Sequence, residues 1–316
     1  MAEWSAPARF GGVAGAIVRE LGHAFLVGRA IGPEVEPVSH DTPGETSDAA
    51  VPDIDAGAAS GSDPAALGLA VTDGGYTLAL ADDRLPAGDG TELRFAVVGP
   101  DGAAVTAYDE LHERPLHLIV VRRDLTGFQH VHPELEGGTW STEIDLEPGA
   151  WRVFADFQAT GDRQRVLGAD LLVPGDSEPA RLGATNREAE VDGYTVQLDG
   201  DLVAGEESEL TLTVRRDGQP VELQPYLGAR GHLVALRASD LGYLHVHPEE
   251  GQGDDTGATA VTFHTLLPHD GGYRLFFDFR HDGVVRTAAF TVHADPSETP
   301  PAPTGTGGHE EESHDH

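Results

Sequence analysis

A duplicated segment constrains this chain more than any other feature of its sequence. Residues 117–134 read HLIVVRRDLTGFQHVHPE, and residues 232–249 read HLVALRASDLGYLHVHPE. The two segments align without a gap, so the chain is expected to contain two copies of one folding unit. Each copy has three histidines at matching positions, which are His117, His130 and His132 in the first copy and His232, His245 and His247 in the second.

The residues around each copy indicate an all-β fold. Alternating apolar and polar runs, such as YTLALADD and WRVFADF, are separated by turn sequences such as GPDG and EPG. Short strands with regularly spaced turns are typical of antiparallel sandwiches. We therefore predict two tandem immunoglobulin-like antiparallel β-sandwich domains, one at residues 66–174 and one at residues 187–294.

The N-terminal region is predicted to differ from the two modules. Residues 1–33 form an anchor-like helical segment whose apolar stretch has the length of a membrane span, but Arg19 and Glu20 interrupt it. Charges at the middle of a bilayer cost about 2.5–3.5 kcal/mol each, so an amphipathic helix is favoured over a transmembrane one, and membrane association stays open. Residues 34–65 are rich in Pro, Gly, Ser and Asp and are predicted to be a disordered linker.

Composition excludes several classes of function. A net charge of −34 repels nucleic acid, so no nucleic-acid partner is expected. The chain has no Cys, which excludes disulfides and thiolate metal sites, and its single Met excludes a methionine-based copper(I) site. Residues 295–316 are predicted to be a disordered acidic tail, whose three histidines could hold a metal loosely.

The duplicated segment is predicted to be a β-hairpin that brings its histidines together. In the expected register, Ile119 lies opposite His130 and His117 lies opposite His132. Directly opposed residues share a face, and so do alternate residues of one strand. The three imidazoles should therefore converge, and because Ile119 and Val121 share their face, we expect that face to be the core face.

Three converging imidazoles form a site for a divalent metal ion. Neutral imidazole is a common ligand of zinc and copper(II), and three of them leave a fourth position open. The predicted ligands are His117, His130, His132, His232, His245 and His247, one cluster in each module.

Two aspartates in apolar strands are further candidates. Asp156 and Asp278 lie in the apolar strands WRVFADF and YRLFFDF, where a carboxylate needs a partner. Each could ligate the metal, orient a ligand imidazole, or bond the backbone or an arginine, and we favour the structural or orienting roles. The histidines that occur in one copy only are expected to lie on the surface; they are His112, His264, His269 and His281.

Three functions are compatible with these residues. The first is a non-enzymatic protein that binds copper(II) or zinc at one site per module. The second is a structural or adhesive tandem protein in which the histidines only stabilise the hairpins. The third is an enzyme with an open three-histidine site for hydrolysis or oxidation, which we disfavour because no HExxH or GxSxG motif is present. Protein partners are not indicated.

The segment GHLVALRASDLGYLHVHP at residues 231–248 resembles that of poorly characterised bacterial envelope proteins with duplicated sandwich modules. Members of that family carry GHLVxLRxxDLxYLHVHP-like segments and are often labelled heavy-metal-binding or secreted. The resemblance covers both modules and implies metal binding and an extracytoplasmic location. The family's N-terminus normally carries an uninterrupted apolar anchor, which Arg19, Glu20 and His23 interrupt in this chain.

Overall fold

The computed structural model describes residues 68–248 and 257–297. These residues form an all-β protein with two repeated sandwich domains, as the sequence predicts. They contain no helix, and so none that could cross a membrane. The segments 1–33 and 34–65, and all of the tail beyond residue 297, lie outside the described residues.

The first repeat consists of two sheets. One has the strand order β1-β2-β3-β8-β7, and the other has the order β10-β9-β5-β6 with β4 also paired to β9. Its strands are β1 (Thr72–Asp73), β2 (Tyr76–Leu80), β3 (Gly88–Val98), β4 (Tyr108–Asp109), β5 (Leu116–Arg122), β6 (Gln129–Val131), β7 (Glu134–Glu136), β8 (Thr139–Leu146), β9 (Gly149–Ala159) and β10 (Gln164–Val173).

The second repeat has the same strand arrangement. One sheet has the order β11-β12-β13-β18-β17 with β14 paired to β13, and the other has the order β16-β15-β19-β20. Its strands are β11 (Glu188–Val191), β12 (Tyr194–Asp199), β13 (Glu207–Arg216), β14 (Gln219–Pro220), β15 (His232–Arg237), β16 (Tyr243–His245), β17 (His247–Pro248), β18 (Ala260–Leu266), β19 (Gly271–His281) and β20 (Val284–Ala294).

The chain forms two compact units. The first unit contains the described residues up to Gly183 together with Pro225–Ala229 and Leu236–Leu244. The second unit contains Ala184–Gln224, Arg230–Ala235 and the described residues from His245 onward.

The core of the first repeat lies between its two sheets. Strand β5 contributes Leu116, Leu118 and Val120 to this core. The other buried residues come from both sheets and include Leu78, Leu93, Phe95, Val97, Trp140, Ile144, Trp151, Val153, Ala155 and Phe157. Burial of apolar side chains on this scale is the main source of stability in a domain of about 100 residues.

The histidines do not share that core face, so this prediction from the sequence is wrong. Because side chains alternate along a strand, His117 lies on the face of β5 opposite Leu116 and Leu118. That outer face is buried too: Ile119 is fully buried, and its cross-strand neighbour Phe154 packs 5.5 Å from the ring of Tyr243 within the first unit. A strand that is buried on both faces has a continuous apolar sequence. The sequence therefore could not show which face of β5 packs between the two sheets.

The His-Val-His-Pro sequence lies where the chain crosses from one sheet to the other. In the first repeat, β6 ends at Val131 beside β5, and β7 begins at Glu134 beside β8. The second repeat makes the same change between β16 and β17. Pro133 has no N–H to donate, so it favours the end of the first ladder at this point.

Candidate metal centre

The hairpin of β5 and β6 positions the first group of histidines. Ile119 pairs with His130 in the ladder, as the sequence predicts, and the pairing ends at Leu118 and Val131. The turn between the strands is held by a backbone hydrogen bond from Arg122 N–H to the carbonyl of Thr126, 3.0 Å long. This register places the rings of His130 and His117 on one face of the sheet.

Three imidazole rings of the first repeat lie together. His117 Nδ1 is 3.0 Å from His130 Nε2 and 3.2 Å from His132 Nε2. The ring centroids of the three pairs are 4.8–5.2 Å apart. His117 is 1% exposed, while His130 and His132 are only partly buried, so the cluster has a closed side and a more accessible side.

The main chain determines which nitrogen of His117 faces the cluster. His117 Nε2 lies 2.8 Å from the carbonyl oxygen of Leu111, which can only accept a hydrogen bond. Nε2 must therefore carry the proton, and in the neutral ring Nδ1 presents a lone pair to the other two histidines. Metal-ligating histidines are commonly oriented in this way, by a carbonyl or carboxylate that binds the second ring nitrogen.

Burial keeps two of the three rings uncharged at neutral pH. It lowers the pKa of His117 to about 4, and the nearby His130 ring acts in the same direction. Burial likewise lowers the pKa of His132 to about 3, with the rings of His130 and His117 as the next causes. Neutral imidazole is the form that binds a metal ion, so these rings need lose no proton to become ligands.

Asp156 lies beside His117 on the neighbouring strand. The two residues are direct cross-strand partners in the pairing of β5 with β9, and Asp156 is 1% exposed. Its carboxylate accepts a hydrogen bond of 2.7 Å from the Gln164 amide and one of 3.4 Å from the Tyr243 hydroxyl. The carboxylate lowers the electrostatic cost of positive charge near His117, as its effect of raising that ring's pKa shows.

His112 belongs to the surroundings of this cluster, which the sequence did not indicate. Its partly buried ring makes an edge-to-face contact with the His117 ring, with centroids 6.0 Å apart. The prediction that it lies on the surface is wrong, because occurrence in a single copy says nothing about burial. His281 is likewise partly buried, with a side chain that is 19% exposed, and its Nδ1 is 2.7 Å from the Tyr194 hydroxyl.

The second repeat has the same backbone arrangement around its histidines. His232 is buried at the start of β15. His245 ends β16 and His247 begins β17, but their side chains lie outside what the structure describes. Asp278 is buried, and its carboxylate accepts a hydrogen bond of 2.5 Å from the hydroxyl of Thr287, its partner across the strands.

A family model matches the chain twice, at residues 70–172 and at residues 189–296. The chain belongs to DUF8832, a domain of unknown function. The two matches confirm the duplication inferred from the sequence, and each DUF8832 repeat contains one copy of the histidine-bearing hairpin. No curated protein matches the chain.

Solved structures resemble the DUF8832 repeats only distantly. A DUF4426 family protein from Pseudomonas aeruginosa PAO1 has a TM-score of 0.28 at 11% identity and covers 36% of this chain and all of its own. The Escherichia coli adhesin FdeC has a TM-score of 0.23 at 17% identity, covering 72% of this chain and 66% of its own. The Yersinia pseudotuberculosis adhesin InvE has a TM-score of 0.21 at 13% identity, covering 73% and 61%.

Proposed function

We propose that this protein binds a divalent transition-metal ion, copper(II) or zinc, without catalysing a reaction. In the first repeat the ligands are His117, His130 and His132. The observation that carries the proposal is the convergence of two Nε2 atoms, at 3.0 and 3.2 Å, on the Nδ1 lone pair of His117. That lone pair can accept only one well-aligned hydrogen bond, whereas a cation between the rings would engage all three.

The separations suit the expected metal–ligand geometry. Zinc binds imidazole nitrogen at about 2.0–2.1 Å, so two nitrogens of a tetrahedral site lie about 3.3–3.4 Å apart. The observed distances from His117 Nδ1 fall slightly below this value, so the rings need to move apart by only a few tenths of an ångström. Copper(II) should bind more tightly than zinc at a site of nitrogen ligands, and the supply of each metal decides which one occupies it.

The proposal extends to the second repeat through its matching residues. His232, His245 and His247 occupy the same sequence positions, and the backbone passes between the sheets at the same place. The proposed function therefore has one histidine cluster in each repeat. We further propose an extracytoplasmic location, which the resemblance to envelope proteins supports. Metal ions are the proposed partners, and the charge of −34 argues against nucleic acid.

A purely structural role is the second candidate, and one observation favours it. Both ring nitrogens of His117 have hydrogen-bonding neighbours inside the protein, namely the Leu111 carbonyl and the His130 ring. A buried histidine that is satisfied in this way stabilises a fold without any metal. The chain would then be a structural or adhesive tandem protein.

Isothermal titration of purified, metal-free protein with copper(II) and with zinc distinguishes the two functions. All variants should carry alanine in place of the tail residues His309, His314 and His316, so that these histidines do not contribute to the measured binding. Replacing His130 and His132 by alanine should lower the number of tightly bound ions from two to one, whereas His269→Ala, which removes an exposed histidine outside the cluster, should leave it unchanged. Binding that is unchanged by the double substitution would exclude the metal site of the first repeat. The His245→Ala/His247→Ala variant tests the second repeat in the same way.

A further inference from the structure

We propose that His112 is a fourth metal ligand in the first repeat and that the second repeat, which has Leu227 at the matching position, lacks this ligand. The proposal rests on the metal-binding function proposed above. It makes the two repeats chemically different, although their three-histidine motifs are the same.

Strand pairing explains why His112 lies near the cluster. Strands β4 and β5 pair with consecutive parts of β9: Asp109 opposes Gln158, and Leu116 opposes Phe157. Because Gln158 and Phe157 are adjacent in β9, their partners Asp109 and Leu116 lie next to each other in the sheet. The residues between these partners, 110–115, must therefore leave the sheet. Its Leu111 carbonyl binds His117 Nε2, which shows that the segment folds over the face that carries the histidines.

A tight turn holds His112 over that face. Leu111 and Arg114 exchange two backbone hydrogen bonds of 2.8 and 3.0 Å, and the residues between them have positive φ, 47° for His112 and 64° for Glu113. Such turns favour Asn and Gly, and other residues adopt positive φ at a cost.

The second repeat forms the same turn with different residues. Tyr226 and Ala229 exchange backbone hydrogen bonds of 2.8 and 3.3 Å, with Leu227 and Gly228 between them at φ values of 57° and 77°. The turn therefore does not require a histidine. Histidine at this position in the first repeat adds an imidazole beside the cluster without changing the backbone.

The distances allow this imidazole to reach the metal after a small movement. The His112 ring centroid is 6.0 Å from that of His117, against 5.2 and 5.0 Å for His130 and His132. Four imidazoles around one ion at normal bond lengths have centroids about 5 Å apart. The His112 ring must therefore approach His117 by about 1 Å to become a ligand.

Copper(II) bound to the full chain provides the test, with the three tail histidines replaced by alanine and the His245→Ala/His247→Ala changes present throughout. Pulsed electron paramagnetic resonance counts the imidazoles coupled to the ion, and titration gives its affinity. The proposal predicts four imidazoles in this parent, and three in His112→Leu with an affinity at least about tenfold lower. Glu113→Gly, which copies the glycine of the second repeat, is the matched control and should keep four.

The possible results separate this proposal from the one on which it rests. If the parent binds no copper tightly, the metal site proposed for the first repeat fails, and the role of His112 fails with it. If the parent binds copper but His112→Leu retains the same affinity and imidazole count, only the role of His112 is overturned. Equal losses in His112→Leu and Glu113→Gly would assign the effect to the turn and also overturn it. His112→Asn, which tolerates positive φ, replaces the leucine variant if that variant does not fold.

Discussion

His117 is the residue on which the arrangement of the cluster depends. It is the only one of the three clustered histidines His117, His130 and His132 that is fully buried, and its Nδ1 lies within 3.2 Å of an Nε2 atom of each of the other two. Its proton is held on Nε2 by the Leu111 carbonyl, so its Nδ1 lone pair faces the cluster before any ion arrives. Such preorganisation reduces the entropy that metal binding must overcome.

Replacing His117 should affect stability and metal binding together, whereas replacing His132 should affect mainly metal binding. We expect His117→Ala to lower the free energy of unfolding by about 2–3 kcal/mol in metal-free buffer, because it leaves a cavity and an unsatisfied carbonyl. His132→Ala, at a partly buried position, should cost about 1 kcal/mol or less. Urea unfolding measures both values. Equal losses of stability would contradict the distinct roles assigned to these residues.

The lowered pKa values make the stability of the first repeat depend on pH. Histidine has a pKa of about 6.5 in an unfolded chain, against about 4 for His117 and about 3 for His132 in the folded protein. The unfolded chain therefore binds more protons below about pH 6.5, and stability falls as the pH is lowered from there toward pH 4. Metal-free urea unfolding at about pH 7 and about pH 5 measures this loss.

The double variant His117→Gln/His132→Gln is the control for this pH dependence. Glutamine at position 117 keeps a donor for the Leu111 carbonyl but does not titrate. The variant should lose a large part of the stability difference between the two pH values. If it shows the same difference as the parent, other groups cause the pH dependence.

The β5–β6 hairpin is the element that brings the ligands together, and its turn is packed against the core. Gly127 has a φ of 63°, and a Cβ added there would lie 2.7 Å from the Trp151 ring. Both the backbone conformation and the lack of space therefore require glycine at this position. Because the rings of His130 and His132 follow this turn, its position affects the site directly.

Gly127→Ala should destabilise the first repeat and loosen the metal site. We expect a loss of about 2 kcal/mol or more, since Trp151 is fully buried and cannot move away freely. Gly102→Ala is the matched control: it also has positive φ, 79°, but nothing lies within 4 Å of the added Cβ. Its loss should be about 1 kcal/mol. Thermal melting compares the two variants, and equal losses would show that contact with Trp151 does not matter.

The same hairpin shows how far sequence reasoning extends. The register of Ile119 with His130 follows from the turn and from strict side-chain alternation, so the sequence predicts it correctly. The choice of core face does not follow, because β5 is buried on both sides and the pattern HLIVV has no polar face. The proximity of His112 depends on where β4 and β5 pair along β9, and residues far apart in sequence determine that pairing.

The whole molecule carries a large excess of negative charge, 54 acidic residues against 20 basic ones. Like charges at this density repel one another in the folded protein and raise the local concentration of cations. Several of the arginines are held in ion pairs, such as Arg165 with Asp162 at 3.0 Å, but these offset only a small part of the excess. The charge is therefore expected to reduce the stability of the folded protein at low ionic strength.

Added salt should therefore stabilise the protein. The screening length falls from about 10 Å at 0.1 M to about 3 Å at 1 M, which removes most repulsion between surface carboxylates. We expect the melting temperature to rise by several degrees between about 0.05 and 1 M sodium chloride, and potassium chloride should give the same rise. A melting temperature that falls with salt would show that ion pairs outweigh the repulsion.

X-ray absorption spectroscopy of the zinc-loaded full chain, with the three tail histidines replaced by alanine, tests the central claim most directly. With one equivalent of zinc, the account predicts a nitrogen shell at about 2.0–2.1 Å and the outer-shell scattering of at least three imidazoles. The imidazole count should fall when His130, His132, His245 and His247 are all replaced by alanine. A shell of oxygen ligands without imidazole scattering, or a spectrum unchanged by those substitutions, would contradict it.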